Sequence, residues 1–300
     1  MKKIFYSILI FLLILFNFST VCADDVDNEV DFEDTIEVTA SNVSELPKTN
    51  SRRYIVYDRI SKSMIIGKNE DVKSAMASTT KIMTTIVILE KADLNEKVTV
   101  SAKAGGTGGS RLGLKRGDKA SVRDLLYGLM LRSGNDAAVA LAEHVGGSVK
   151  GFAKLMNEKA IELGLTNTHF VTPHGLDDAN HYTTALELAK LTDYAMDNET
   201  FAKIVGTKST TIYINNQSRQ INNTNELLGV LNGVVGVKTG FTNNAGRCLV
   251  TETKRNNMDI ITIVLGADTK KDRTKDSVNL IEYTFSKYKM YNLEEQIIEE

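Results

Sequence analysis

The sequence YIVYDRISKSMII, residues 54–66, opens the folded part of the chain and decides its class. Residues 54–57 and 63–66 are short apolar runs separated by a polar, turn-like segment, which predicts two strands joined as a hairpin. A second strand-rich region is predicted near the end of the chain, at residues 210–214, 234–239, 247–252 and 260–266. Strands are therefore expected at both ends of the folded part.

Between the two strand-rich regions, apolar residues recur at helical spacing. Helices are predicted at residues 81–91, 122–131, 135–144 and 152–163, and a further helix at residues 271–288 closes the domain. Strands at both ends with helices between them predict an α+β domain. We expect a mainly antiparallel sheet flanked by helices, with an inserted all-helical part.

Residues 1–23 have the pattern of a secretory signal peptide. Two lysines precede an apolar run at residues 4–18, and Val21-Cys22-Ala23 provides a small-residue cleavage site. Because the apolar run is short for a membrane-spanning helix, cleavage after Ala23 is favoured over an uncleaved anchor. We therefore expect a secreted protein.

The rest of the chain divides by composition. Residues 24–52 predict an acidic disordered linker, residues 53–290 one folded domain and residues 291–300 an acidic tail. Without the linker's eight acidic residues up to Glu37 and the two signal-peptide lysines, the net charge is about +4. This surplus suits an anionic envelope and is too small to indicate nucleic acid. Loss of Cys22 with the signal peptide leaves Cys248 alone, so no intramolecular disulfide is expected.

The motif Ser78-Thr79-Thr80-Lys81 lies at the start of a predicted helix. Ser78 and Lys81 are three residues apart and share a helix face, so the amine could take the hydroxyl proton. A lysine acts as a base only if burial or a nearby cation lowers its pKa, and Lys238 is a candidate neighbour. By itself the motif is common, and a serine cap followed by a solvent-facing lysine is then the favoured explanation.

Two further motifs change that interpretation. Ser133-Gly134-Asn135 lies between two predicted helices, and Lys238-Thr239-Gly240 ends a predicted strand, where glycine permits close approach of a substrate backbone. Separately, each has an ordinary explanation, as a helix-capping turn and a strand exit. Together and in this order, the three motifs are the signature of penicillin-recognising acyl-serine enzymes.

The chain resembles the low-molecular-mass penicillin-binding proteins that are serine-type D-alanyl-D-alanine carboxypeptidases, over roughly residues 53–288. The further stretches that carry the resemblance are Gly109-Ser110-Arg111-Leu112, Asp124-Leu125-Leu126-Tyr127-Gly128-Leu129-Met130, Ser133-Gly134-Asn135-Asp136-Ala137-Ala138, Pro173-His174-Gly175-Leu176-Asp177-Asp178 and His181-Tyr182-Thr183-Thr184-Ala185. Gly134 stands where class A β-lactamases usually have aspartate. The resemblance implies a five-stranded antiparallel sheet, with residues 53–290 as the catalytic domain.

The resemblance implies three catalytic residues. Ser78 would attack the carbonyl between the two terminal D-alanines of a peptidoglycan stem peptide, with Lys81 as the base. Ser133 would relay the proton to the leaving amine, and water would then hydrolyse the acyl-enzyme. The expected partners are thus the D-alanyl-D-alanine end of the stem peptide and, as covalent inhibitors, β-lactam antibiotics. Peripheral association with the cell envelope is also expected.

The residues expected to bind the substrate are Asn135, Lys238, Thr239, Gly240, Phe241 and Arg273. Asn135 would hold the substrate amide, and the backbone N–H groups of Ser78 and Phe241 would stabilise the oxyanion. Lys238 and Thr239 would bind the terminal carboxylate, and the family has an arginine with the same role at the position of Arg273. No cofactor is implied, and no residue spacing indicates a metal site. His174 and His181 are expected to support a loop.

Two alternatives remain at this level. A class A β-lactamase would need a deacylating glutamate in a Glu-x-x-Leu-Asn stretch, and Glu162 is only a loose match, better interpreted as a helix end. A catalytically silent cell-wall-binding protein would keep the fold without the reaction. The intact motif residues weigh against the silent protein.

Overall fold

The computed structural model describes residues 45–288. The predicted signal peptide, most of the predicted linker and the predicted tail lie outside these residues. The described elements are β1 (Arg53–Asp58), β2 (Ser63–Lys68), α1 (Lys81–Lys91), β3 (Lys97–Thr99), α2 (Ala102–Gly105), β4 (Lys119–Ser121), α3 (Val122–Leu131), α4 (Asn135–Gly146), α5 (Val149–Glu162), α6 (Ala185–Met196), α7 (Glu199–Val205), β5 (Ser209–Ile214), β6 (Gln217–Asn222), β7 (Val234–Thr242), β8 (Gly246–Arg255), β9 (Met258–Ala267) and α8 (Lys270–Lys287).

The main sheet has five antiparallel strands in the order β2-β1-β9-β8-β7. The N-terminal hairpin β1–β2 adds to the C-terminal strands through pairing of β1 with β9. Since β1 and β9 are covered on both faces, they read as continuous apolar runs rather than alternating ones. The predicted α+β class and the five-stranded antiparallel sheet are confirmed, and β7 forms one edge.

The inserted part contains helices, as expected, but it is not all-helical. A second sheet has the order β3-β4-β5-β6, and it includes the predicted strand at residues 210–214 as part of β5. The strands β3 and β4 have three residues each, too few to show alternation, and β6 is largely polar. The β5–β6 turn could have been recognised from its sequence, because asparagine tolerates positive φ. Asn215 and Asn216 both adopt positive φ, as in a two-residue hairpin.

Helix α1 lies at the centre of the helical part, and its first eight residues are all buried. It packs against the other long helices of the insert, α3, α4, α5 and α6. The predicted bounds of α1 and α3 match the structure, whereas α6 was missed although Thr184, a favoured helix N-cap residue, precedes it and its Oγ1 accepts from the N–H of Glu187. No helix in residues 45–288 is long and apolar enough to cross a membrane.

Candidate active site

Ser78 lies in a short 3₁₀ turn, Ala77–Thr80, that leads directly into α1. Two hydroxyls hold the turn, since Thr79 Oγ1 donates to the carbonyl of Met76 at 2.6 Å and Thr80 Oγ1 donates to that of Ala77 at 2.8 Å. Ala77 adopts φ +48°, in the left-handed region that non-glycine residues rarely occupy. The turn thus fixes a strained entry into α1 and places Ser78 at a defined position, only 2% exposed.

Lys81 is fully buried, and its ammonium group is surrounded by oxygen atoms. Lys81 Nζ donates to Ser78 Oγ at 2.6 Å, to Asn135 Oδ1 at 2.8 Å and to the carbonyl of His174 at 2.9 Å. The alternative of a solvent-facing lysine is therefore wrong. The distance to Ser78 is within the range for direct proton transfer between a nucleophile and its base.

The second motif forms the tight connection between α3 and α4. Ser133 adopts φ +57° and is 3% exposed, and Asn135 is the first residue of α4. The backbone N–H of Asn135 donates to the carbonyl of Ser110 at 2.7 Å, and its Nδ2 donates to that of Gly108 at 2.9 Å. Asn135 thus joins Lys81 to the 108–114 loop.

Asp136 completes that loop and was not singled out as a site residue from the sequence. Its Oδ1 accepts from the N–H of Leu112 and its Oδ2 from that of Leu114, both at 2.9 Å. The side chain is fully buried, so these charge-assisted bonds replace its lost hydration. The sequence feature that could have identified Asp136 is its position in the first turn of a predicted helix, where a carboxylate is favoured.

The third motif lies on the edge strand β7, where Lys238 and Thr239 are each 1% exposed. Gly240 packs against the Ser78 turn, because a Cβ on it would lie 3.0 Å from Ser78 N and 3.2 Å from Ala77 Cβ. The close approach that requires glycine is therefore to the nucleophile's own turn. The expected close approach of a substrate backbone to Gly240 stays a prediction.

Phe241 follows Gly240 on the same strand, so its backbone lies beside the Ser78 turn. The guanidinium of Arg247 stacks on its ring at 3.9 Å from the centroid. Thr242 Oγ1 then donates to Asp177 Oδ1 at 2.6 Å. This last contact ties β7 to the loop that contains His174.

Arg273 is fully buried in the first turn of α8 and bonds to a carboxylate. Its Nη2 donates to Glu226 Oε1 at 2.9 Å, and Lys270 Nζ lies 3.1 Å from Glu226 Oε2. Burial would raise the pKa of Glu226, but the charge of Arg273 and the Thr274 hydroxyl outweigh it and lower the pKa. Glu226 was not predicted as a site residue.

The segment around Glu226 also reaches the third motif. Thr224 Oγ1 and Thr239 Oγ1 are 2.8 Å apart, and the N–H of Thr224 donates to the carbonyl of Leu131 at 3.1 Å. The contacts of Arg273 therefore connect it to Thr239 through residues 224–226. The other eight predicted site residues lie in three places: Lys81 bonds to Ser78 and Asn135, Ser133 lies two residues before Asn135, and Lys238, Thr239, Gly240 and Phe241 lie on β7 beside the Ser78 turn.

His181 and His174 support the site in their neutral forms. His181 Nε2 lies 2.8 Å from Thr80 Oγ1, and His181 Nδ1 accepts from the N–H of Val171 at 2.9 Å. Burial, and to a smaller degree the charge of Lys81, lower the pKa of His181 to about 4. Burial and then Lys81 lower the pKa of His174 to about 3. At neutral pH both are uncharged, which fits the expected loop-supporting role.

Chemically, the arrangement offers a nucleophile, a buried amine in contact with it and a second hydroxyl on a neighbouring turn. The edge strand beside them presents backbone groups to an extended peptide. Among residues 45–288, no group of three His, Cys, Asp or Glu side chains is placed to hold a metal ion. Cys248 is buried in β8 and forms part of the core.

Residues 39–269 match the family model described as D-alanyl-D-alanine carboxypeptidase. The D-alanyl-D-alanine carboxypeptidase DacF of Bacillus subtilis is 37% identical over 245 residues, which cover 80% of this chain and 63% of DacF. DacC of Escherichia coli is 38% identical over 270 residues, covering 82% of this chain and 64% of DacC. The chain thus spans less than two thirds of the length of these relatives.

Solved structures give the same similarity. A Streptomyces DD-transpeptidase superimposes with a TM-score of 0.76 at 34% identity, covering 81% of this chain and 99% of that one. DacD of Francisella tularensis, a D-alanyl-D-alanine carboxypeptidase, gives a TM-score of 0.77 at 30% identity, covering 83% of this chain and 73% of that one.

Proposed function

Because the chain belongs to the D-alanyl-D-alanine carboxypeptidase family, we propose that it removes the terminal D-alanine from peptidoglycan stem pentapeptides. The observation that carries this proposal is the 2.6 Å contact between Lys81 Nζ and Ser78 Oγ in a buried site. A buried amine in direct contact with a hydroxyl is the arrangement that a serine nucleophile needs.

Acylation begins when Ser78 Oγ attacks the carbonyl carbon of the penultimate D-alanine. The serine proton passes to a neutral Lys81 Nζ, and the carbonyl oxygen becomes an oxyanion beside the N–H groups of Ser78 and Phe241. Ser133 relays the proton to the nitrogen of the terminal D-alanine as the peptide bond breaks. Free D-alanine leaves, and the shortened peptide remains as an ester of Ser78.

Deacylation uses water as the second nucleophile. Lys81 takes a proton from water, whose oxygen attacks the ester carbonyl, and the proton returns to Ser78 Oγ as the ester bond breaks. The products are the free hydroxyl of Ser78 and a stem peptide with a new terminal carboxylate. No cofactor enters either step.

The substrate lies along β7. Lys238 and Thr239 bind the terminal carboxylate. Arg273 supports them indirectly, because it bonds to Glu226 and the neighbouring Thr224 contacts Thr239. Asn135 holds the substrate amide with its Nδ2 group, which requires exchange of the present bond to the carbonyl of Gly108. β-Lactam antibiotics acylate the same serine and are covalent inhibitors.

The decisive experiment measures D-alanine released from diacetyl-L-lysyl-D-alanyl-D-alanine. The wild-type protein should release it and the Ser78→Ala variant should not. Ser286→Ala is the matched control, because this serine is exposed at the end of α8, and it should behave as wild type. Equal release by wild type and Ser78→Ala, or none by wild type, would refute the proposed activity.

A β-lactamase is the second candidate, and one contact argues against it. Glu162 ends α5, is exposed and forms an ion pair with Lys159 at 2.7 Å, as expected of a helix end. The carboxypeptidase should therefore form a long-lived penicilloyl adduct on Ser78, detectable by intact-protein mass spectrometry. Rapid turnover of benzylpenicillin without an adduct would favour the β-lactamase.

The proposed substrate lies outside the cytoplasmic membrane, so the proposal includes export by residues 1–23 and action at the cell envelope. The mature protein should begin at Asp24. N-terminal sequencing of protein from cell fractions tests this, and a chain that retains Met1 in the cytoplasm would contradict it.

A further inference from the structure

A cavity of about 330 Å³ lies beside the active site, between the 111–112 segment and the β5–β6 hairpin. Three arginines, Arg111, Arg132 and Arg219, contribute to its lining. None of the proposed catalytic steps uses these residues.

Two of the arginines that line the cavity are sequence neighbours of residues in the active-site region. Arg132 directly precedes Ser133, and Arg111 directly follows Ser110, whose carbonyl accepts from the N–H of Asn135. Arg219 Nη1 donates to the carbonyl of Leu112 at 3.0 Å. Because Asp136 holds the N–H of the same Leu112, the position of Arg219 depends on the start of α4.

The opposite wall leads to the β7 edge. Asn222 lines the cavity at the end of β6, and Thr224, two residues later, contacts Thr239. The cavity therefore lies between the Ser133 turn and the segment that supports the proposed carboxylate subsite.

The charge of the cavity is one-sided. Its lining contains the three arginines and no carboxylate, and in residues 45–288 no ion pair joins Arg111, Arg132 or Arg219 to an acidic side chain. Three guanidinium groups around one concavity create a positive potential that an anion relieves. Planar guanidinium groups suit carboxylates, which they bind through paired N–H donors.

We infer that this arginine-lined cavity binds a second carboxylate of the cell-wall peptide, distinct from the terminal carboxylate of the scissile D-alanine. The inference rests on the proposed function, since it concerns the remainder of the same substrate. The carboxylate belongs to the stem peptide being cut or to a neighbouring stem peptide. The cavity thereby selects cell-wall peptides over short D-alanyl-D-alanine peptides without an extra charge.

The test compares two pentapeptides, N-acetyl-L-Ala-γ-D-Glu-L-Lys-D-Ala-D-Ala and the same peptide with the glutamyl carboxylate amidated. The double variant Arg111→Gln/Arg132→Gln keeps Arg219 and its bond to Leu112. For the free-carboxylate peptide, its kcat/KM should fall about tenfold, as expected for loss of a charge-assisted contact. For the amidated peptide, kcat/KM should not change. Arg123→Gln, at an exposed arginine on α3, is the matched control and should behave as wild type with both.

Equal losses on the two peptides, or no loss on either, would overturn the inference while leaving the proposed activity intact. If wild type releases no D-alanine from either peptide, the proposed activity is refuted instead, and a binding measurement then tests the inference about the cavity. Calorimetry with the Ser78→Ala protein should show tighter binding of the free-carboxylate peptide than of the amidated one, and the two arginine substitutions should remove the difference. No difference would overturn the inference.

A further arm distinguishes the source of the carboxylate. The tetrapeptide N-acetyl-L-Ala-γ-D-Glu-L-Lys-D-Ala is added to Ser78→Ala protein saturated with diacetyl-L-lysyl-D-alanyl-D-alanine. Additional binding that depends on the arginines identifies a neighbouring stem peptide. Displacement of the first peptide that depends on the arginines identifies the stem being cut. Binding that is unchanged by the arginine substitutions contradicts the proposed role of the cavity.

Discussion

Lys81 and Arg59 are both buried cations, but their partners differ. Lys81 donates to three neutral oxygens, on Ser78, Asn135 and the His174 backbone. Arg59 is 8% exposed and donates to four carboxylates. These are Asp193 at 3.0 Å, Asp197 at 2.5 Å, Glu252 at 2.6 Å and Asp259 at 2.9 Å.

The difference in partners corresponds to a difference in role, which is stability for Arg59 and proposed catalysis for Lys81. Arg59 follows β1 and joins it to α6, β8 and β9, so its cluster fastens the N-terminal hairpin to the rest of the sheet. Carboxylate partners hold a cation in its charged form. Three partners of Lys81 belong instead to the proposed active site, and one of them is the hydroxyl of Ser78, with which the proposed base exchanges a proton in each cycle.

The largest effect is expected from Lys81→Met, which keeps the length of the side chain and removes the amine. The acylation rate of benzylpenicillin should fall about 10⁴-fold, because the serine loses its base. The free energy of unfolding should fall by less than in Arg59→Met, because the oxygens of Ser78, Asn135 and His174 that lose their donor carry no charge. Stopped-flow acylation and urea denaturation measure the two quantities. A large loss of stability with acylation retained would reverse the comparison.

Arg59→Met should have the opposite profile. The free energy of unfolding should fall by about 3–5 kcal/mol, because removal of one partner leaves buried carboxylates uncompensated. The acylation rate of the folded fraction should remain at the wild-type value. Lys254→Met is the control from the rim of the same cluster, where the side chain is 51% exposed, and its cost should stay below about 1 kcal/mol. Equal costs for the two variants would refute a structural role specific to Arg59.

The smallest effect is a pH dependence within the Arg59 cluster. Burial, followed by the negative charge of Asp259, raises the pKa of Glu252 to about 7 from its ordinary value of 4.5. Between these values the folded protein holds a proton that the unfolded chain releases, so stability should decrease as pH rises from 4.5 to 7.

Glu252→Gln should remove this slope, which is at most about 1.4 kcal/mol per pH unit. Urea denaturation at pH 5, 6 and 7.5 measures it, with the exposed Glu162→Gln as the control. A wild-type stability that rises over this interval in parallel with that of Glu252→Gln would show that Glu252 does not hold the proton.

Much of the fold could be predicted where the signal was local and strong. The predicted bounds of α1 and α3 match because both helices have dense apolar residues at helical spacing. The second sheet was missed because its stability comes from pairing between short or polar strands, β3 with β4 and β5 with β6. Such pairing leaves little trace in the composition of each strand.

The sequence by itself determined the three motifs, their order and the common face of Ser78 and Lys81, since a three-residue separation at a helix start puts two side chains on one face. Only the tertiary structure decided which oxygens surround Lys81, because Asn135 and His174 are 54 and 93 residues away. It also decided that Gly240 packs against the Ser78 turn and that three arginines share one cavity. These contacts depend on how distant segments pack, and residue spacing along the chain does not specify that packing.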